Sequence, residues 1–338
     1  MKYCFVINPA AGKRDRTQEL KVEIAAVMDS KGISYSILTT GKPMEAVDLV
    51  RSAVEESRSR GEEIRIVACG GDGTLNEAVC GAAGYANAAV THFPTGSGND
   101  FIKLFGNGRN RFNDLAAIFD SEESEIDLIE INGRYCVNIC SVGLDARISS
   151  EMARYKKIPL LSGQGAYYAS VAVNIIKGIH KPMKIRIDEK TENGNPGLRT
   201  GSGDHGMAGA EAGDDSEGYG SIKDLSNSYT LVCACNGRYY GSGFNPVPEA
   251  MPDDGVIDVL VVDKCSRLKV AALINTYKNG GYAKLPELIH HYRCREMSVE
   301  TPAEVPVNID GETIRARRID IKISETRMRF FYPRGAKW

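Results

Sequence analysis

Apolar residues in the first 130 positions follow two alternating periods. Short runs of strand character at residues 4–7, 33–38, 64–68 and 88–93 are separated by stretches with helical spacing. Leu20, Ile24, Val27 and Met28 recur mainly at steps of three and four, and Ala46, Val47, Val50, Ala53 and Val54 do the same. Alternation of this kind predicts an α/β domain whose parallel sheet is covered by helices, with ligands outside the carboxyl ends of its strands.

From about Asp127 the pattern changes to strand-like segments with few helices. Candidates are residues 127–131, 135–141, 183–188, 229–235, 256–262, 293–300, 305–309, 318–324 and 327–332, with one helical stretch at 165–177. The simplest expectation is a second, β-rich domain of antiparallel, sandwich-like character. The domains are then 1–126 and 127–338, with the last strand free to return to the first. Residues 191–226 hold nine glycines, one aromatic (Tyr219) and seven acidic residues against two basic ones. Such a segment buries too little apolar surface to offset its ordering entropy, and it reads as a mobile insert. A regulatory or partner-binding loop is the alternative, with no motif behind it.

Composition narrows the class. The chain has 338 residues, 42% hydrophobic and 25% charged, as in soluble globular proteins and unlike disordered or fibrous ones. A formal net charge of −2 supplies no global basic field for nucleic acid, so any anion site is local. Nine cysteines, most within apolar runs, read as buried free thiols in a reducing compartment. The apolar run at 3–7 is too short for a secretory signal, and the run at 167–179 is broken by Asn174 and Lys177. The expectation is a cytoplasmic protein with no transmembrane segment, able to touch a bilayer surface.

The strongest chemical signal is Gly70-Gly71-Asp72-Gly73-Thr74-Leu75-Asn76-Glu77, directly after a strand and opening a helix. Glycines let the backbone approach phosphates, and the amides of a helix start then point at the anion. Asp72 would repel a phosphate in direct contact; it makes sense working through Mg²⁺ or orienting a basic partner. A second loop, Pro94-Thr95-Gly96-Ser97-Gly98-Asn99-Asp100, follows the next strand and repeats the logic, although an ordinary turn with an N-cap has the same look. At the end of the first strand, Asn8-Pro9-Ala10-Ala11-Gly12-Lys13 offers an ammonium to phosphoryl oxygens. None of these loops matches the Walker pattern, and the dinucleotide fingerprint is missing from the first βα turn. Far along the chain, Asp310-Gly311-Glu312 reads first as a two-residue hairpin turn, and second as a carboxylate aimed across a cleft as general base.

Together these motifs, in this order and spacing, resemble the catalytic domain of the diacylglycerol kinase family, in particular the bacterial soluble lipid kinases similar to sphingosine and ceramide kinases. The resemblance covers nearly the whole chain except the insert. It implies ATP held by the three glycine-containing motifs and Thr40, that is Asn8, Gly12, Lys13, Gly70, Gly71, Asp72, Gly73, Thr74, Leu75, Glu77, Gly96, Ser97, Asn99 and Asp100. It also implies Glu312 as the base that deprotonates a lipid hydroxyl, Asp72 as essential to catalysis, and Asp127 in a charged network with Lys13 as natural partner. A structural Mg²⁺ is implied at Met251, Asp254 and Val256, through the Asp254 side chain and the other two carbonyls. The implied reaction passes the γ-phosphoryl of ATP to a lipid hydroxyl, most simply that of diacylglycerol, at the membrane surface.

Ser97 stands where the family usually has threonine and keeps the hydroxyl. Two rivals remain: an NAD kinase-like phosphotransferase, which shares the Gly-Gly-Asp-Gly-Thr element, and a nucleotide-binding regulator without turnover. His290-His291 lacks metal-ligand spacing and reads as surface or packing. The run from Arg315 to Lys337, with eight Lys or Arg against Asp320 and Glu325, reads first as a solvated strand face and second as a patch for anionic lipid. Sheet edges in the second domain offer a surface for pairing into a homodimer.

Overall fold

Four parallel strands come first along the chain. In the computed structural model, which describes residues 1–155, 179–190, 219–241 and 243–338, β1 (Lys2–Ile7) pairs with β2 (Tyr35–Thr39) on one side and β3 (Ile64–Gly70) on the other. β4 (Ala88–Pro94) continues the parallel ladder beyond β3. Helices α1 (Thr17–Lys31), α2 (Glu45–Ser59) and α3 (Asp72–Ala82) follow β1, β2 and β3. β1, β3 and β4 are buried almost throughout, which is why they read as continuous apolar runs and not as alternating ones. Val50 and Val54 of α2 and Leu75 and Val79 of α3 share one core with Ile66 and Val90. Leu20, Ile24 and Met28 of α1 share the other with Phe5 and Val67. Beyond β4 the sheet takes in β14 (Met328–Pro333), parallel, and then β5 (Ser121–Ile126), antiparallel to β14.

The second sheet is antiparallel. Its order runs β11 (Ile257–Asp263), β10 (Tyr219–Cys235), β8 (Ile139–Gly143), β12 (Ile289–Ile309), β13 (Glu312–Ile323), β6 (Ile129–Ile131), β7 (Arg134–Cys136), while β9 (Lys181–Lys190) pairs both β10 and β12. The α/β plus β-rich architecture is therefore the one the hydrophobic pattern predicts.

Several details differ from the sequence expectation. Residues 293–300 and 305–309 are one strand, β12, whose register against β13 shifts between Glu300 and Val305. The end of the glycine-rich segment is ordered: β10 pairs Ile222 with Asp188 through Ser226 with Lys184, and Leu225 packs on the second core. The remainder of that segment and the helix expected at 165–177 lie outside the described residues. A helix at Arg267–Lys278 was not legible in the pattern; the Ser266 hydroxyl caps it by accepting the Lys269 amide at 3.2 Å.

The basic C-terminal run is largely matched by acids. Arg318 pairs with Glu300 and Asp320, Arg327 with Glu125 and Asp127, Arg329 with Glu63 and Glu123, and Arg334 with Asp120 and Glu122. All nine cysteines are free, and most are buried. Among the described residues no helix is long and apolar enough to cross a membrane.

Candidate active site

The loops after β1, β3 and β4 lie at one edge of the first sheet because their strands are parallel neighbours. Asn8 Nδ2 donates to Thr74 Oγ1 at 3.0 Å, and the Asn8 carboxamide oxygen accepts the Ala10 amide. Gly12, at φ +82°, passes so close to the second loop that a Cβ there would sit 2.4 Å from Thr95 O. Gly96 and Gly71 are backbone against backbone: a Cβ on Gly96 would fall 2.4 Å from Gly71 Cα. The Gly70 carbonyl gathers the amides of Thr95 and Gly96 at 2.8 and 3.0 Å and His92 Nε2 at 3.0 Å. Burial pushes His92 down to about 4, so this ring is neutral and donates through Nε2.

Asp72 serves the same junction. Its Oδ1 accepts the amides of Asp100 and Phe101 at 2.5 and 3.3 Å, so one carboxylate at the start of α3 ties down the turn that ends the second loop. Burial first, and then the Asp100 carboxylate, raises Asp72 to about 7; Asp310 adds to the same push. Lys103 pairs with Asp100 and supplies the positive charge beside these acids. Neither Lys103 nor His92 was singled out by the sequence, since nothing around them forms a motif.

Elsewhere in the motifs, Thr40 is buried at the end of β2, its amide bonded to Ile7 O at 2.9 Å. Leu75 lies in the core, and Glu77 Oε2 accepts the Ala46 amide at 3.1 Å in the first turn of α2. Ser97 and Lys13 are exposed, and Asn99, at φ +48°, donates to Gly96 O.

The late acidic turn reaches this assembly. Asp310 and Gly311, at φ +48° and +93°, form the two-residue link between β12 and β13, with Ile309 opposite Glu312. The hairpin reading of this turn is thus the observed one. Asp310 Oδ1 accepts the amides of Asn138 and Ile139 at 3.0 Å and the Cys136 thiol at 3.2 Å. Its Oδ2 accepts the Val137 amide at 2.6 Å and, from α3 of the first domain, Asn76 Nδ2 at 2.8 Å. Glu312 is half-buried. Burial first, then Glu77, raises its carboxyl above the ordinary range, while Arg134 opposes and Asp310 adds to the rise. Asp310 therefore acts on both Asp72 and Glu312, which places all three acids in one electrostatic neighbourhood.

Asp127 belongs to an adjoining cluster. Its carboxylate meets Arg327 Nε at 2.9 Å and the Gly255 amide at 2.6 Å, so the cation that neutralises it is Arg327 and not Lys13. Its carbonyl accepts Asn236 Nδ2, which also bonds Val137 O, next to the amides that hold Asp310. The oxygen donors at residues 251–256 suit a hard cation: the Asp254 carboxylate and the carbonyls of Met251 and Val256. Asp254 is also engaged by Arg293 at 2.7 Å and by the Val256 amide at 3.1 Å, so a cation there would share the carboxylate. Among the described residues no three His, Cys, Asp or Glu side chains gather to hold a metal ion; main-chain oxygens and water would complete the shell. His290 and His291 pair with Asp263 and Asp258 instead.

In the second domain an apolar cavity of about 90 Å³ opens to solvent. Leu231, Val262, Leu273 and Ile274 line it, with Asp145, Thr230, Tyr240, Lys269 and Tyr277 among its polar groups. Its lining residues look like any core in the sequence, and for that reason escaped notice.

Two family models match successive parts of the chain. Residues 2–131 match the model of the diacylglycerol kinase catalytic domain, and residues 138–328 match that of the YegS C-terminal NAD kinase beta sandwich-like domain. A diacylglycerol kinase of Staphylococcus carnosus is 24% identical over 310 residues, covering 91% of this chain and 87% of that one. A Pseudomonas aeruginosa protein named "Probable lipid kinase YegS-like" is 26% identical over 326 residues, covering 96% and 93%. A solved diacylglycerol kinase of Bacillus anthracis shares the fold with TM-score 0.60 at 19% identity, over 99% of this chain and 98% of that one.

Proposed function

Because the chain belongs to the diacylglycerol kinase catalytic-domain family and carries the YegS-type C-terminal domain, we propose that it transfers the γ-phosphoryl group of ATP to the hydroxyl of a lipid, diacylglycerol first among them. The observation that carries the reading is the convergence of the three glycine-containing loops with the Asp310-Gly311-Glu312 turn, joined by the 2.8 Å bond from Asn76 to Asp310.

Phosphoryl transfer asks a protein mainly to position reactants and to stabilise charge. The loops at Asn8–Lys13, Gly70–Thr74 and Gly96–Asp100 would cradle the phosphates with backbone amides and the α3 start, Lys13 adding a cation. Asp72 shapes that cradle through the Asp100 and Phe101 amides. Glu312 accepts the proton of the attacking hydroxyl, a role that a carboxyl raised above its usual range performs well. Mg²⁺ accompanying ATP supplies neutralisation of the phosphoryl oxygens. A second Mg²⁺ would be held by Asp254 with the carbonyls of Met251 and Val256, bracing the turn that receives Asp127. The apolar cavity beside Tyr240 would take an acyl chain while the headgroup stays at the cleft, with the enzyme working at the membrane surface. This cavity favours a lipid over NAD as acceptor.

The test is incubation of purified protein with γ-labelled ATP, Mg²⁺ and a panel of diacylglycerol, monoacylglycerol, sphingoid base, ceramide and NAD. Label in phosphatidic acid is the expected result. Label in NAD alone, or nucleotide binding with no transfer to any acceptor, would overturn it.

A further inference from the structure

We propose that Asn76 and Asp310 are positioning residues for the transfer, their hydrogen bond holding the Asp310-Gly311 turn, and with it Glu312, against the helix that begins the phosphate cradle. The inference rests on the reading of Glu312 as the base.

Asp72, Asn76 and Cys80 follow one another at steps of four along α3 and so share one face of it. Asp72 at the N-terminal end of that face works on the cradle. One turn on, Asn76 spends both hydrogens of its carboxamide on the second domain, one on Tyr135 O at 3.0 Å and one on Asp310 Oδ2 at 2.8 Å. Cys80 makes a further thiol contact with Tyr135 O. A rigid helix thus carries a cradle carboxylate and an interdomain crosslink about 6 Å apart along its axis.

On the other side of the joint, Asp310 is fixed from three consecutive amides, Val137, Asn138 and Ile139, and from the Cys136 thiol. The turn is closed by Asn308, whose side-chain oxygen accepts the Gly311 amide at 3.1 Å. Asp310 therefore has little freedom within its own domain, and Asn76 is what registers it against the first. Glu312 lies two residues beyond, opposite Ile309 in the ladder. Displacement of a reacting group by about 1 Å costs on the order of a hundredfold in rate.

The test uses Asn76→Ala and Asn76→Asp in the wild-type and Glu312→Gln backgrounds. Readouts are kcat and KM for ATP with the best lipid substrate, calorimetric affinity for a non-hydrolysable ATP analogue, and a thermal melt for each variant. Asn76→Ala is expected to lower kcat by about 10- to 100-fold with nucleotide affinity within about twofold. Asn76→Asp, which sets a carboxylate against Asp310, is expected to do worse. On the residual rate of Glu312→Gln, Asn76→Ala is expected to add little, since it acts through Glu312. Were the alanine variant unfolded, Asn76→Leu, which keeps the volume and removes the donor, carries the same measurement. A kcat within twofold of wild type, or an equal loss in both backgrounds, overturns the proposal alone; full turnover by Glu312→Gln overturns the reading beneath it.

Discussion

Asp72 Oδ1 accepts the backbone amide of Asp100 at 2.5 Å, so the acid that opens helix α3 also draws the second glycine loop onto the first. A carboxylate that would repel a phosphate in contact is thereby used on protein amides, and the cradle is built around a group enclosed among other acids.

That enclosure has a pH signature. Asp72 is raised to about 7 by burial and then by Asp100, against 3.8 for the free side chain. Between those values the folded chain keeps a proton that the unfolded chain releases, so this contribution to stability is complete at low pH and lost as pH rises to about 7. Asn in its place keeps the acceptor oxygen and cannot ionise. Thermal melts from about pH 5 to pH 8 should therefore show Asp72→Asn gaining on wild type as pH rises; a constant difference would refute the assignment.

The close approach of the loops sets a steric requirement. A methyl on Gly96 meets Gly71 backbone, whereas a methyl on Gly32, at φ +61° after α1, meets nothing. Gly96→Ala should weaken ATP binding by roughly tenfold or more, about 1.4 kcal/mol. Gly32→Ala should cost about 1 kcal/mol of stability through its left-handed backbone and leave nucleotide affinity unchanged. Calorimetry and denaturant melts on the two variants measure both effects.

Arg327 leaves a buried carboxylate behind when removed. Asp127 is 4% exposed in its side chain and Arg327 39%, so solvent already shares part of the guanidinium. Arg327→Ala should destabilise by about 2 kcal/mol, below the 3–5 kcal/mol typical of breaking a fully buried pair. Urea denaturation reads this directly; a change under about 0.5 kcal/mol would remove Asp127 from any structural network.

Narrowing the cavity should touch only the lipid. Leu273→Trp adds bulk at a lining position on the helix Arg267–Lys278. KM for the lipid should rise several-fold while KM for ATP stays within about twofold; equal changes in both would mean that the cavity is not the acyl site.

Legibility in the sequence followed from how local each signal was. The parallel sheet could be read because β1, β3 and β4 are buried on both faces, and the cradle because glycines cluster where strands end. Arg327 was hidden as the partner of Asp127, since an ion pair between residues 200 apart leaves no periodicity. Lys13 sat in a motif and drew the assignment instead. The helix Arg267–Lys278 buries none of its residues fully, which blurs its apolar face. Asp310 read as a plain hairpin residue because its two-residue turn is one; only the fold shows Asn76 and three amides converging on its carboxylate.

Replacing Glu312 by Gln keeps the size and hydrogen-bonding shape of the side chain and removes only its ability to take a proton. With labelled ATP and the preferred lipid, turnover by this variant should fall by about a hundredfold or more while calorimetric affinity for an ATP analogue stays within about twofold. Turnover close to that of the unaltered protein would contradict the account.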